Sequence, residues 1–149
     1  MIDLDLTVWQ DKLRLKREED KKFLFDPIRM IWVSLQPEEV VRQLMVLYLL
    51  EEKTFNKNRI RIEQGLRVNG LSKRCDILVY DREVKPFLLV ECKSPKVAIN
   101  QTVFHQIANY NLPLQVQYLV VTNGPATFCC EMNYEEKSFN FLKEIPNYE

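Results

Sequence analysis

The chain has 149 residues, 46% of them hydrophobic, and carries 21 Lys and Arg against 21 Asp and Glu. That length and apolar share suit one globular domain with a real core and leave no room for a second catalytic module, and the zero net charge removes any bulk electrostatic pull toward nucleic acid. The longest apolar run, Val40 to Leu50, is broken by Arg42 and Gln43 and is shorter than the ~20 residues a bilayer requires. The charged N-terminus lacks the pattern of a secretion signal, so a cytoplasmic protein with no membrane segment is expected. Cys75, Cys92, Cys129 and Cys130 show no C-x-x-C spacing and are expected as small buried apolar residues in a reducing compartment.

Residues 1–26 mix aliphatic and charged positions without clean periodicity and stop at Asp26-Pro27, because proline fixes φ and biases its predecessor away from helix. They are read as a partly ordered N-terminal arm, ahead of a single domain over residues 27–149. Gln36-Pro37-Glu38-Glu39 then places proline and two acids in a first helical turn, where the missing N–H costs nothing and negative charge meets the positive dipole end. Val40, Val41, Leu44, Met45, Leu47 and Tyr48 continue a helical stripe to about Glu52.

Ile60, Ile62, Leu66 and Val68 next alternate with Arg59, Arg61, Glu63 and Arg67, as in a half-buried strand. Asn69-Gly70 is a tight-turn signal. Arg74 to Tyr80 forms a second strand, Asp81 to Pro86 a charged turn, and Phe87 to Lys93 a third strand, together an antiparallel meander. Ser94-Pro95 closes it, and Gln101 to Asn111 reads as a helix with Val103, Phe104, Ile107 and Ala108 on its apolar side. Leu114 to Thr122 is a largely buried fourth strand suited to a central or parallel position. After the turn Asn123-Gly124-Pro125 come Thr127 to Glu131 and an edge strand, Ser138 to Leu142. The fold expected is α/β, a central mixed sheet flanked by helices in the core order helix, three strands, helix, strand.

Asp76 lies near the start of the second strand, and Glu91 and Lys93 sit two apart near the end of the third, so Glu91 and Lys93 share a face. Alternation with Ile77 and Val79 puts Asp76 on the other side of its strand, and a modest choice of register sets it beside Glu91. Two adjacent carboxylates repel unless a cation intervenes or one takes a proton, and such oxygen donors suit Mg²⁺ or Mn²⁺. A neighbouring ammonium can then orient water or stabilise charge on a phosphoryl oxygen. A bare E-x-K triplet is ordinarily a surface ion pair of little energetic consequence. Here the buried run Phe87-Leu88-Leu89-Val90 leads into the charged cluster and marks a sheet meeting a cleft.

The spacing Arg74-Cys75-Asp76 followed fifteen positions later by Glu91-Cys92-Lys93, between a leading and a following helix, resembles the PD-(D/E)XK nuclease superfamily. Asp26-Pro27-Ile28-Arg29, Pro37 through Gln43, Lys73 through Ile77, Leu89 through Pro95, Gln106 through Asn111 and Tyr118 through Gly124 resemble, as a set, the N-terminal nuclease domain of type I restriction enzyme R subunits. The resemblance implies a restriction-endonuclease-like α-β-β-β-α-β core and a Mg²⁺-dependent DNA endonuclease, with Mn²⁺ able to substitute. Asp76 and Glu91 would be its metal ligands and Lys93 its catalytic lysine. Gln106 and Tyr110, four apart on one helical face, would match a Q-x-x-x-Y pair lining the cleft near DNA, and Glu39, more than Glu38, the helix acid that supplies a further carboxylate. Cys75 stands where the name-giving motif has proline.

The resemblance further implies DNA and a translocase or other restriction-modification subunits as partners. The alternative is a non-cleaving DNA-binding or subunit-docking module that keeps the fold. His105, the single histidine, lacks a paired nucleophile and acid and is read as a solvent-edge or cleft-rim residue. Arg59, Arg61, Arg67, Lys73 and Arg74 offer either a basic strip for phosphates or a solvated outer face.

Overall fold

In the computed structural model, which describes residues 2–68 and 70–147, the chain opens with a 3-10 helix, Leu6–Lys12, begun by the Asp5 side chain accepting from the Thr7 N–H. Three strands follow, β1 (Leu15–Glu18), β2 (Lys21–Asp26) and β3 (Ile31–Ser34), paired antiparallel in the order β1-β2-β3. The stretch expected as a partly ordered arm is thus a 3-10 helix and two strands. Its pattern is faint because only Leu24 and Asp26 are buried in the three strands, which leaves little alternation for a sequence to display.

Helix α1 (Pro37–Leu47) starts at the predicted Pro37, with Glu38 and Glu39 in its first turn. Its last turn, Tyr48–Glu52, widens into a π-helix. The main sheet has the order β4 (Ile60–Val68), β5 (Leu71–Tyr80), β6 (Pro86–Cys92), β7 (Tyr118–Thr122), β8 (Thr127–Asn133) and β9 (Ser138–Leu142). Helix α2 (Gln101–Asn111), capped by the Asn100 side chain on the Val103 N–H, crosses from β6 to β7. The expected order α1-β4-β5-β6-α2-β7 is present, and β6 and β7 form the parallel pair within an otherwise antiparallel sheet.

The fourth predicted strand starts at Tyr118 rather than Leu114, because Pro113 turns Leu112–Leu114 into a 3-10 helix closed by Gln115 at φ 52°. Of the predicted Asn69-Gly70 turn, Asn69 lies outside the described residues, while Gly70 takes φ +78°, a conformation glycine adopts without penalty.

The sheet is covered on both faces. Val41, Leu44 and Met45 of α1 pack with Ile77, Val79, Leu88 and Val90, whereas Phe104 and Ala108 of α2 pack with Leu78, Leu89, Leu119 and Val121. Strand β6 feeds both cores, which explains its unbroken apolar run. The four cysteines are free and buried, as expected. Among the described residues no helix is long and apolar enough to cross a membrane.

Candidate active site

Register brings the two acids together. Strands β5 and β6 pair Ile77 with Val90, so continuing the antiparallel ladder one step sets Asp76 opposite Glu91. The regular alternation expected for β5 breaks at Asp76. Cys75 faces the α2 side and Ile77 the α1 side, although residues two apart in a regular strand share a face. On the other flank, β4 pairs Ile62 with Ile77 and Gln64 with Cys75, and Glu63 between them has φ 52°. This irregularity aims the side chains of Glu63 and Asp76 along one seam.

Asp76 is held from two directions. Its Oδ2 accepts from the Cys92 N–H at 2.8 Å and its Oδ1 from Arg42 Nη2 at 3.2 Å. Glu91 is the strained member. Burial, and then the Asp76 carboxylate beside it, push its pKa up to about 8, with Lys93 and Asn111 pulling the other way. An unfolded Glu ionises near 4.5 and the folded one near 8, so between those values the folded chain holds a proton that the unfolded chain has lost. The stabilisation is complete below the lower value and is lost as pH rises through the higher one. Unfolding in urea with EDTA should therefore show stability declining from about pH 5 to about pH 9, and Glu91→Gln should flatten that decline by on the order of a few kcal/mol. An equally steep decline in the variant would contradict the assignment.

Arg42 is the residue that sequence reasoning missed. It is 6% exposed, and its guanidinium lies 3.2 Å from Glu39, 3.2 Å from Glu63 and 3.2 Å from Asp76. Burial works against its charge, but Glu39, Asp76 and Glu63 outweigh that and keep it protonated. Arg29, in the turn after β2, extends the network, pairing with the fully buried Asp26 at 2.7 Å, Glu39 at 3.3 Å and Glu63 at 3.2 Å. Of the two helix acids, Glu39 belongs to this cluster, its pKa raised by burial against the pull of Arg42 and Arg29, while Glu38 is exposed. The available signal for Arg42 was a charge interrupting the apolar face of α1, next to Val41 and Leu44.

Lys93 follows directly on β6, its N–H donating to the Thr122 carbonyl at 2.8 Å, and its ammonium acts on Glu91 as a stabilising cation. Gln106 and Tyr110 share the exposed side of α2, and among the described residues no hydrogen bond or ion pair ties Gln106 to the carboxyl pair. Tyr110 instead covers Lys73, which is 8% exposed, donates to the Tyr110 carbonyl and sits 4.1 Å from the ring centroid. Lys73 therefore leaves the basic strip, and Arg59 and Arg61 are turned onto the backbone carbonyls of Asp81 and Asn58. Exposed His105 rests 4.7 Å from the Phe139 ring, in keeping with a rim position.

Among the described residues no three His, Cys, Asp or Glu side chains gather as a self-sufficient metal cage. Mg²⁺ does not require one, because it is commonly bound through one or two carboxylates, with waters and substrate phosphates completing its shell. The donor set fits in charge as well. Asp26, Glu39, Glu63, Asp76 and Glu91 face Arg29, Arg42, Lys93 and the more distant Arg74, a formal surplus of negative charge when Glu91 is ionised. A cation at Asp76 and Glu91 would offset the burial and the mutual repulsion that together raise the Glu91 pKa.

Residues 37–146 match the family described as type I restriction enzyme R protein N terminus. A solved fragment assigned as an HsdR subunit of a type I restriction enzyme from Vibrio vulnificus YJ016 shares the fold with a TM-score of 0.53 and 23% identity, over 75% of this chain. The match spans 24% of that fragment's own length. No curated protein matches the chain.

Proposed function

Because the chain belongs to the type I restriction enzyme R protein N-terminal family, we propose that it is a divalent-metal-dependent endonuclease domain that hydrolyses phosphodiester bonds in DNA. The observation that carries this reading is the juxtaposition of Asp76 and Glu91 at the end of a buried strand, with Lys93 as the adjacent cation. Asp76 and Glu91 would hold Mg²⁺ or Mn²⁺, which when bound supplies Lewis acidity to a phosphoryl oxygen.

The protein's own residues do the positioning. The Cys92 N–H and Arg42 fix both oxygens of Asp76. Arg42 in turn is fixed by Glu39 and Glu63, so the geometry is set before substrate arrives. Lys93 stabilises the negative charge that grows on the phosphoryl oxygens as water adds to phosphorus and the bridging P–O bond breaks. Gln106 and Tyr110, on the open side of α2, line the approach of the DNA. A translocase or other restriction-modification subunit would deliver that DNA.

A non-cleaving docking role has one observation in its favour: Arg42 already supplies a cation to Asp76. Plasmid DNA incubated with the chain and Mg²⁺ or Mn²⁺, beside EDTA controls and Asp76→Asn, separates the two. The nuclease reading expects metal-dependent nicking that the variant and EDTA abolish. Supercoiled plasmid left intact by wild type in both metals would leave the docking role in its place, and equal nicking by the variant would sink the site.

A further inference from the structure

Apart from Asp26 at the end of β2, the three-stranded sheet lies outside the carboxyl cluster, and one of its faces carries a row of rings with cations on top. Register puts Lys16 opposite Phe23 and Phe25 opposite Trp32, and Arg14, whose carbonyl accepts from the Phe25 N–H at 2.9 Å, joins them. The Arg14 guanidinium lies 4.5 Å from the Phe25 centroid and 5.5 Å from that of Trp32. The Lys16 ammonium lies 4.6 Å from Trp32 and 5.7 Å from Phe23. The three rings are half-buried and Arg14 is exposed. Lys16 shares Glu18 at 3.0 Å, whereas among the described residues Arg14 makes no ion pair.

We propose that this face is a docking platform for single-stranded nucleic acid, with Phe23, Phe25 and Trp32 stacking bases and Arg14 and Lys16 moving onto the phosphates. A cation resting on an open ring is weakly held, whereas a stacked base holds more firmly and frees the cation for an anion. An acidic protein partner would use the charges and leave three rings without a purpose, and a duplex hides its base faces. The platform leads to the carboxyl cluster, because the turn after β2 carries Arg29, which joins Asp26 to Glu39. Beside Phe25 and Arg14, a cavity of about 230 Å³ is also lined by Gln43.

The inference rests on the DNA-acting role for its setting, but it is read without cleavage, so the two can fail separately. The chain has two tryptophans, and Trp9→Phe leaves Trp32 as the sole reporter. Titrating that protein with oligo(dT) in EDTA should quench Trp32 emission saturably. Trp32→Leu, followed by anisotropy of labelled oligo(dT), should weaken binding about tenfold. Arg14→Ser/Lys16→Ser should lower the slope of log K against log salt by about 1.4, at about 0.7 for each phosphate of the single strand that is no longer neutralised. Absent quenching, or an unchanged slope in a double variant that keeps its circular dichroism, overturns the proposal. If that variant fails to fold, the Trp32 signal decides alone. Equal competition by duplex DNA, or by polyglutamate, would overturn the assignment to a single strand.

Discussion

Lys93→Met is expected to slow metal-dependent plasmid cleavage by about 10²–10³-fold, the range seen when one preorganised charge-stabilising group is removed from an active site. Methionine keeps the length and apolar stem of the side chain and deletes the charge alone. The anchor of the main chain, the Lys93 N–H on Thr122, is untouched, so the melting temperature should barely move. A second signature follows from Glu91. Lys93 is among the groups that lower its pKa, so removing the ammonium should push Glu91 higher still and displace the rising limb of the pH–rate profile toward alkali. Full activity in Lys93→Met would remove the lysine from the chemistry. A lowered rate with an unshifted profile would separate it from Glu91.

Arg42→Met is expected to cost about 3–5 kcal/mol of stability, because it strips the shared cation from Glu39, Glu63 and Asp76 and leaves partly buried carboxylates facing one another. For a chain of this size that lowers the melting temperature by on the order of 10 °C. The loss should shrink at acid pH, as Glu39, whose pKa burial raises, takes up a proton and no longer needs the cation. Combining it with Asp76→Asn should cost less than the sum of the single changes, since both touch one network. Calorimetric melts at two pH values check this. A loss below about 1 kcal/mol at neutral pH would mean that the three ion pairs contribute no more than surface pairs do.

The carboxyl pair is legible in the sequence because a hairpin of alternating strands constrains it. Once β5 and β6 are found and their turn placed at Asp81 to Pro86, few registers remain, and one of them sets Asp76 opposite Glu91. Helix α2 is legible to its ends, as Asn100 caps it and Pro113 follows it. What stays hidden depends on departures from period. Glu63 reads as an outward polar residue of an alternating strand, but its positive φ turns it toward Arg29 and Arg42. Parity assigns Asp76 a face, and the strand breaks parity at that residue. Arg42 reads as an interruption of the apolar run and is instead the centre of the ion network. The small sheet is unreadable for another reason. Its rings are shielded by Arg14 and Lys16 rather than by a second apolar layer, so it lacks the hydrophobic alternation that announces a strand.

Titration calorimetry of Mn²⁺ into the chain, beside an Asp76→Asn/Glu91→Gln variant shown by circular dichroism to be folded, tests the central claim most directly. The claim predicts saturable binding of a single ion by wild type and none by the variant. Equal affinity and stoichiometry in the two proteins would contradict it, since the ion would then reside away from Asp76 and Glu91.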